Sequence, residues 1–216
     1  MHTLGAAMAR NRATKTTAKR TVWVALALMG ATSAVAAAPA QAAAPAAAPA
    51  ASAAAAPATA CPTGWGSTPE TRTTSTTESV TNIRTGRQAC YDRMVVDVPG
   101  AGTSGLGYWV GYVDQLRQDG SGNVIPVRGG AILEVRVTAP AYDPETGEPT
   151  YPARAGRPLP GVDLTGYRTF RDARFAGSFE GDTQVGLGLR ARLPFRVLVL
   201  SDRVVVDVAH NWNGTR

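Results

Sequence analysis

The heptapeptide Asp92-Arg93-Met94-Val95-Val96-Asp97-Val98 returns as Asp202-Arg203-Val204-Val205-Val206-Asp207-Val208, with six of seven positions identical and the seventh apolar in both. In a strand, side chains alternate between the two faces, so Met94, Val96 and Val98 share one face, as do Val204, Val206 and Val208. Those faces are expected in a core. Arg93 with Asp97, and Arg203 with Asp207, fall on the opposite face, placed to pair with neighbouring strands. Exposed ion pairs contribute only about 0–1 kcal/mol, so register and solubility explain these charges better than stability does. The repeat has two readings. One is chance recurrence of good half-buried strand chemistry. The other is a domain of two related halves, which requires both copies to be central strands.

The rest of the chain beyond Cys61 is written in the same idiom. Residues 79–84, 91–98, 108–116, 124–127, 131–138, 177–180, 184–193, 195–200 and 203–209 alternate or run apolar and are rich in β-branched and aromatic residues. Turn chemistry separates them at Asp119-Gly120-Ser121-Gly122, Gly129-Gly130 and Glu180-Gly181-Asp182. No clean 3.6-residue apolar period is sustained, although a short helix could form around 166–174. The expected fold is mainly β, an antiparallel β-sandwich, which the second reading of the repeat divides into two related halves. Residues 140–161 interrupt it with six prolines and no alternation, a long Pro-rich loop that reads as a surface insertion or as a recognition arm.

The amino-terminal quarter belongs to export rather than to the fold. Arg10, Arg12, Lys15, Lys19 and Arg20 precede an apolar stretch at 21–38, and Ala40-Gln41-Ala42 offers a small-x-small cleavage site. Residues 1–42 are thus expected to be a signal peptide, the alternative being a retained single-span anchor. Residues 43–60 are nearly all Ala and Pro and read as a disordered, semi-extended linker. Residues 61–216 form the domain. Removing the five basic residues of the signal from the chain's 22 leaves 17 arginines against 16 acids, a net of +1. That balance lacks the basic surface of a nucleic-acid binder, and no membrane contact is expected after cleavage. Cys61 and Cys90 are the two cysteines of the chain. In an oxidising compartment one disulfide between them is the economical expectation. It closes a loop of about 30 residues, for roughly 3–4 kcal/mol. Cys61 lies too far beyond the apolar stretch for lipoprotein processing.

Motifs that would carry catalysis are weak. Gly100-Ala101-Gly102-Thr103-Ser104-Gly105 matches G-x-G-x-x-G, but the strand-like Leu106-Gly107-Tyr108-Trp109-Val110 follows where a nucleotide site needs a helix. His210, the one histidine left after export, cannot build a zinc site of the usual type, and no G-x-S-x-G accompanies it. Glu180 and Asp182 sit in a hairpin turn. Asp143-Pro144-Glu145-Thr146-Gly147-Glu148 lacks the D-x-D-x-D-G order of a calcium loop. No catalytic residue, metal ligand or cofactor is therefore assigned. The candidate ligand-binding residue is Trp109. Alternation puts Tyr108, Val110 and Tyr112 on one face and Trp109 with Gly111 on the other, so a core-facing tyrosine side leaves Trp109 outward. There it can serve as a platform for a sugar or a partner side chain, unless the Pro-rich arm covers it.

Several of these blocks together carry a family resemblance. They are Thr81-Asn82-Ile83-Arg84-Thr85-Gly86-Arg87, then Cys90-Tyr91-Asp92-Arg93, then Gly107-Tyr108-Trp109-Val110-Gly111-Tyr112-Val113-Asp114. Residues 181–188, Pro194-Phe195-Arg196-Val197 and the second heptapeptide continue the pattern. The chain resembles the AMIN-like domain proteins, extracytoplasmic proteins of actinobacteria related in pattern to the AMIN domain of cell-wall amidases, over about Gly64 to Trp212. The resemblance implies a non-catalytic β-sandwich of two related halves that directs proteins to peptidoglycan or division sites. The amidase domain that often accompanies AMIN is not present in this sequence.

The expectation is thus a secreted, non-enzymatic, cell-wall-associated binding or localisation module whose partner is a cell-wall glycan or an envelope protein. Two alternatives stand beside it. One is a carboxylate-dependent hydrolase of an extracellular polysaccharide, which needs two acids roughly 5–9 Å apart in a cleft. The other is a structural partner subunit of an envelope complex.

Overall fold

The computed structural model describes residues 61–212, so the expected signal peptide at 1–42 and linker at 43–60 lie outside the described residues. In chain order come β1 (Glu70–Arg72), β2 (Asn82–Arg87), β3 (Tyr91–Asp97), a single turn α1 (Gly102–Gly105), β4 (Gly107–Val113), β5 (Leu116–Arg117) and β6 (Val124–Ile125). There follow β7 (Ala131–Thr138), β8 (Phe170–Phe179), β9 (Asp182–Leu189), β10 (Phe195–Leu200) and β11 (Arg203–Ala209). One sheet has the order β10-β11-β3-β2 and the other β1-β4-β7-β9-β8, every pairing antiparallel, while β5 and β6 form a small ribbon. Met94, Val96, Val204 and Val206 from the first sheet share one buried cluster with Val110, Leu133, Val135, Val185 and Leu187 from the second. This is the antiparallel β-sandwich that the alternation predicts.

The two heptapeptides are the two central strands of the four-stranded sheet, and they pair with each other. Arg203 stands opposite Asp97 and Asp207 opposite Arg93, with Val205 and Val95 facing at the midpoint. Each copy is therefore the other's partner about a local two-fold axis through that valine pair. Arg93 donates to both Asp207 oxygens, at 2.6 and 2.9 Å, and Arg203 Nε stands 3.7 Å from Asp97. The outer strands obey the same relation, with Ile83 opposite Val96 as Val197 is opposite Val206. The hairpins β2–β3 and β10–β11 are thus equivalent. The equivalence stops at this sheet, because the strand before the first hairpin, β1, is an edge and the strand before the second, β9, is interior. Val96 and Val206 are 1% and 0% exposed. Shortening either to alanine is expected to cost about 1–3 kcal/mol through lost burial and a small cavity. Denaturant unfolding of both variants checks this; one silent variant would show that the equivalence is not energetic.

Two segments differ from the sequence reading. Residues 170–174 belong to strand β8 rather than to a short helix. Register shifts at Phe170/Asp172 and Phe175/Gly177 break its alternation and hide the strand period. The glycine motif at 100–105 closes into one helical turn and then enters β4. The Pro-rich stretch runs along the edge of β8, where Gly156 N donates to Phe175 O, Phe175 N to Arg157 O and Leu159 N to Ala173 O. Tyr151 and Leu159 insert into the core. The stretch thereby covers an edge that would otherwise be open to pairing.

The first described residues strap the two sheets together. Cys61 is bonded to Cys90 in the β2–β3 turn. Trp65 then lies against Tyr91, with ring centroids 5.5 Å apart, and under the Arg196 guanidinium, 4.4 Å from its own ring centroid. Gly66 bridges to Phe195 on the β10 edge, and Glu70 Oε2 accepts from Val197 N. From there the chain becomes β1 and pairs with β4 in the opposite sheet.

Candidate functional site

The outer face of the five-stranded sheet divides into a covered half and an open half. Over β8 and β9 it is covered: Leu116 and Ile125 from the β5–β6 ribbon pack on Ala176, with Val127 and Ile132 beside them. Glycines on β9 make this approach possible. A Cβ on Gly186 would lie 2.4 Å from Leu116 Cδ2, and one on Gly188 would lie 1.9 Å from the Arg128 carbonyl oxygen.

The open half is a groove of about 490 Å³ on β4 and β7, walled by residues 71–75 of the strap. Trp109 lies in it, with its six-membered ring over Gly111, where a Cβ would come within 2.7 Å of Cη2 and 3.3 Å of Pro69. Glycine two residues on is what allows the indole to lie along the sheet. No residue of 140–161 lines the groove. The arm runs along the far edge, on β8, while Trp109 is flanked by the strap.

Arg136 is the cross-strand partner of Trp109. Its Nη2 donates to Glu134 Oε1 at 2.8 Å and to Asp119 Oδ1 at 3.2 Å. Gln184, 2% exposed, donates to the same Glu134 oxygen and to Arg117 O, and accepts from Asp119 N. Burial alone would lower the Arg136 pKa, but its hydrogen bond to Glu134 and the charges of Asp119 and Glu134 outweigh it and raise it. Burial pushes the Asp119 carboxyl up, with Arg136 partly opposing. The groove is therefore charge-balanced, and Glu134, the Arg136 Nη2 group and Gln184 are held by one another before any ligand arrives. Arg136 Nε and Thr74 Oγ1 are buried without a partner among the described residues, and both residues line the groove. An indole face flanked by fixed hydrogen-bonding groups suits a neutral polar ligand with an apolar side, such as a sugar ring.

Trp109 is thus placed in the groove, and Asp182 from the hairpin turn joins it, whereas Glu180 does not line it. Glu180 and Gly181 both have positive φ, 49° and 85°, as a two-residue hairpin turn demands. Asp143 accepts from Glu145 N and Thr146 N in a local turn. His210, just past the end of β11, is buried against Asp92. Among the described residues no cluster of three His, Cys, Asp or Glu side chains could hold a metal. Arg136 and Glu134 escaped the sequence reading. Their signal was present: they alternate with Leu133, Val135 and Val137, which makes them the polar face of an otherwise apolar strand.

Fold and groove together define a disulfide-braced antiparallel β-sandwich with an aromatic surface groove. The AMIN-like domain family matches residues 78–210, and the chain belongs to that family. No curated protein and no solved structure matches it.

Proposed function

We propose that this protein is a secreted, non-catalytic module of the cell envelope that holds to peptidoglycan, or to an envelope protein bearing the same chemistry, through the Trp109 groove. AMIN-like membership carries the envelope assignment, and the Cys61–Cys90 bond agrees with an oxidising compartment. The indole lying along β4 beside Arg136 carries the choice of surface. The hydrolase alternative is less well supported, because the Glu134 carboxylate is 6% exposed and already engaged by Arg136 and Gln184.

Co-sedimentation of the protein with purified peptidoglycan tests the reading. Trp109→Ala is expected to weaken binding at least about tenfold, as loss of a central aromatic contact does, with the unfolding midpoint little changed. Undiminished binding would remove the groove from the proposal, and release of reducing sugar ends during the incubation would favour the hydrolase.

A further inference from the structure

We infer that the outer face of the four-stranded sheet carries a second ligand site, a notch that takes the free carboxylate terminus of a short peptide. It lies on the opposite side of the sandwich from the Trp109 groove.

Across this face the register sets three rows: Leu200, Arg203, Asp97, Asn82; then Leu198, Val205, Val95, Arg84; then Arg196, Asp207, Arg93, Gly86. Four arginines against two aspartates leave a charge of +2 on one face, in a domain whose whole balance from residue 43 onward is +1. A notch of about 210 Å³ opens there, rimmed by Arg84, Arg93 and Arg203 and floored by Val95 and Val205.

The guanidinium groups on its rim are oriented but not saturated. Arg84 gives Nε and Nη2 to Asp97. Arg93 gives Nε and Nη2 to Asp207, and Nη2 also reaches the Tyr91 hydroxyl. Neither Nη1 has a partner among the described residues. Arg203 Nε is buried and has no hydrogen-bond partner among the described residues, lying 3.7 Å from Asp97 and so beyond hydrogen-bond range. The aspartates fix the planar forks in advance, which lowers the entropic cost of binding, and the remaining N–H groups match the planar geometry of a carboxylate.

Gly86 is the second observation. Its φ is not positive, and a Cβ there would meet only Gln88 Nε2 at 3.8 Å, an ordinary contact. Neither backbone nor packing requires glycine in this strand, where glycine is unfavourable. Its local effect is to keep the notch open. The volume and the valine floor suit one or two small residues, and the Gln88 amide on the wall can serve a peptide group. The three rim arginines against Asp97 and Asp207 leave a surplus of one charge around the apolar floor, which fits a single carboxylate on an aliphatic stem better than a polyanion.

Titration of the ¹⁵N-labelled protein with acetyl-Ala-Ala, with its carboxamide and with sodium phosphate tests this. The free acid is expected to shift the resonances of residues 84–88, 93–95 and 203–205 saturably, and the carboxamide to bind at least about tenfold more weakly. Gly86→Val keeps all four arginines, suits a strand and fills the notch; it is expected to melt like the parent and lose these shifts. Arg203→Gln, at a half-buried rim position, is expected to narrow the difference between acid and carboxamide. Trp109→Ala is expected to leave the shifts unchanged, so this site and the groove stand or fall separately. Equal binding of the carboxamide, phosphate matching the peptide, or full binding by folded Gly86→Val would each overturn the inference.

Discussion

Asp92→Ala is expected to remove a large part of the domain's stability. Asp92 is fully buried; its Oδ2 accepts from Thr169 N at 2.6 Å and Phe170 N at 3.1 Å, and its Oδ1 lies 3.1 Å from His210 Nε2. These contacts join the start of β3, the start of β8 and the end of β11. Alanine strands three buried polar groups at about 1–3 kcal/mol each, so the loss is on the order of 3–9 kcal/mol. The whole stability of a domain is about 5–15 kcal/mol. Asp92→Asn keeps an acceptor and is expected to cost about half as much. Urea titrations of both variants decide it; a loss below about 1 kcal/mol for alanine would mean that water replaces the carboxylate.

The second large effect belongs to the strap. Cys61→Ser opens a loop with a sequence separation of 29. It is expected to cost about 3–4 kcal/mol by releasing the unfolded chain, which corresponds to a fall of roughly 8–15 °C in melting temperature for a domain of this size. The double variant Cys61→Ser, Cys90→Ser should melt with the single one if the bond, rather than a new polar group, is responsible. The same strap supplies residues 71–75 to the groove wall. Cys61→Ser is therefore also expected to weaken peptidoglycan binding at temperatures where the protein remains folded, measured by the same co-sedimentation.

What was legible in the sequence was whatever obeys a period of two. Val96 and Val206 face the core as alternation requires, and Trp109 faces outward because Val110 faces in. The same rule carried a warning about Asp92, which shares the parity of Met94 and Val96 and so points inward with them. Its counterpart Asp202 does a related task from a turn, accepting from Gly102 N at 2.8 Å. What was not legible depends on contacts between distant segments. Nothing local in Gly186 or Gly188 announces that Leu116 and Arg128 will lie over them. Nothing in a proline-rich stretch announces that Tyr151 and Leu159 will be core residues. Strand β8 was misread where bulges displace its alternation. The arginine notch was unreadable for another reason, since it needs four strands in register before its rim exists.

The pairing of the two heptapeptides also bears on how the chain reaches its native state. Because Arg203 meets Asp97 and Asp207 meets Arg93 in an antiparallel ladder, either segment is a template for its own copy. A valine-rich strand with a net charge of only −1 and without proline, complementary to itself, is the kind of segment that seeds intermolecular sheets when exposed. Each molecule carries it twice, separated by more than a hundred residues. Before β10 and β11 are made, β3 is paired on one side only, with β2, and its other edge is open to the β3 of another unfinished molecule. Aggregation during folding is thus a competition between a copy in the same chain and copies in its neighbours, and protein concentration decides the winner.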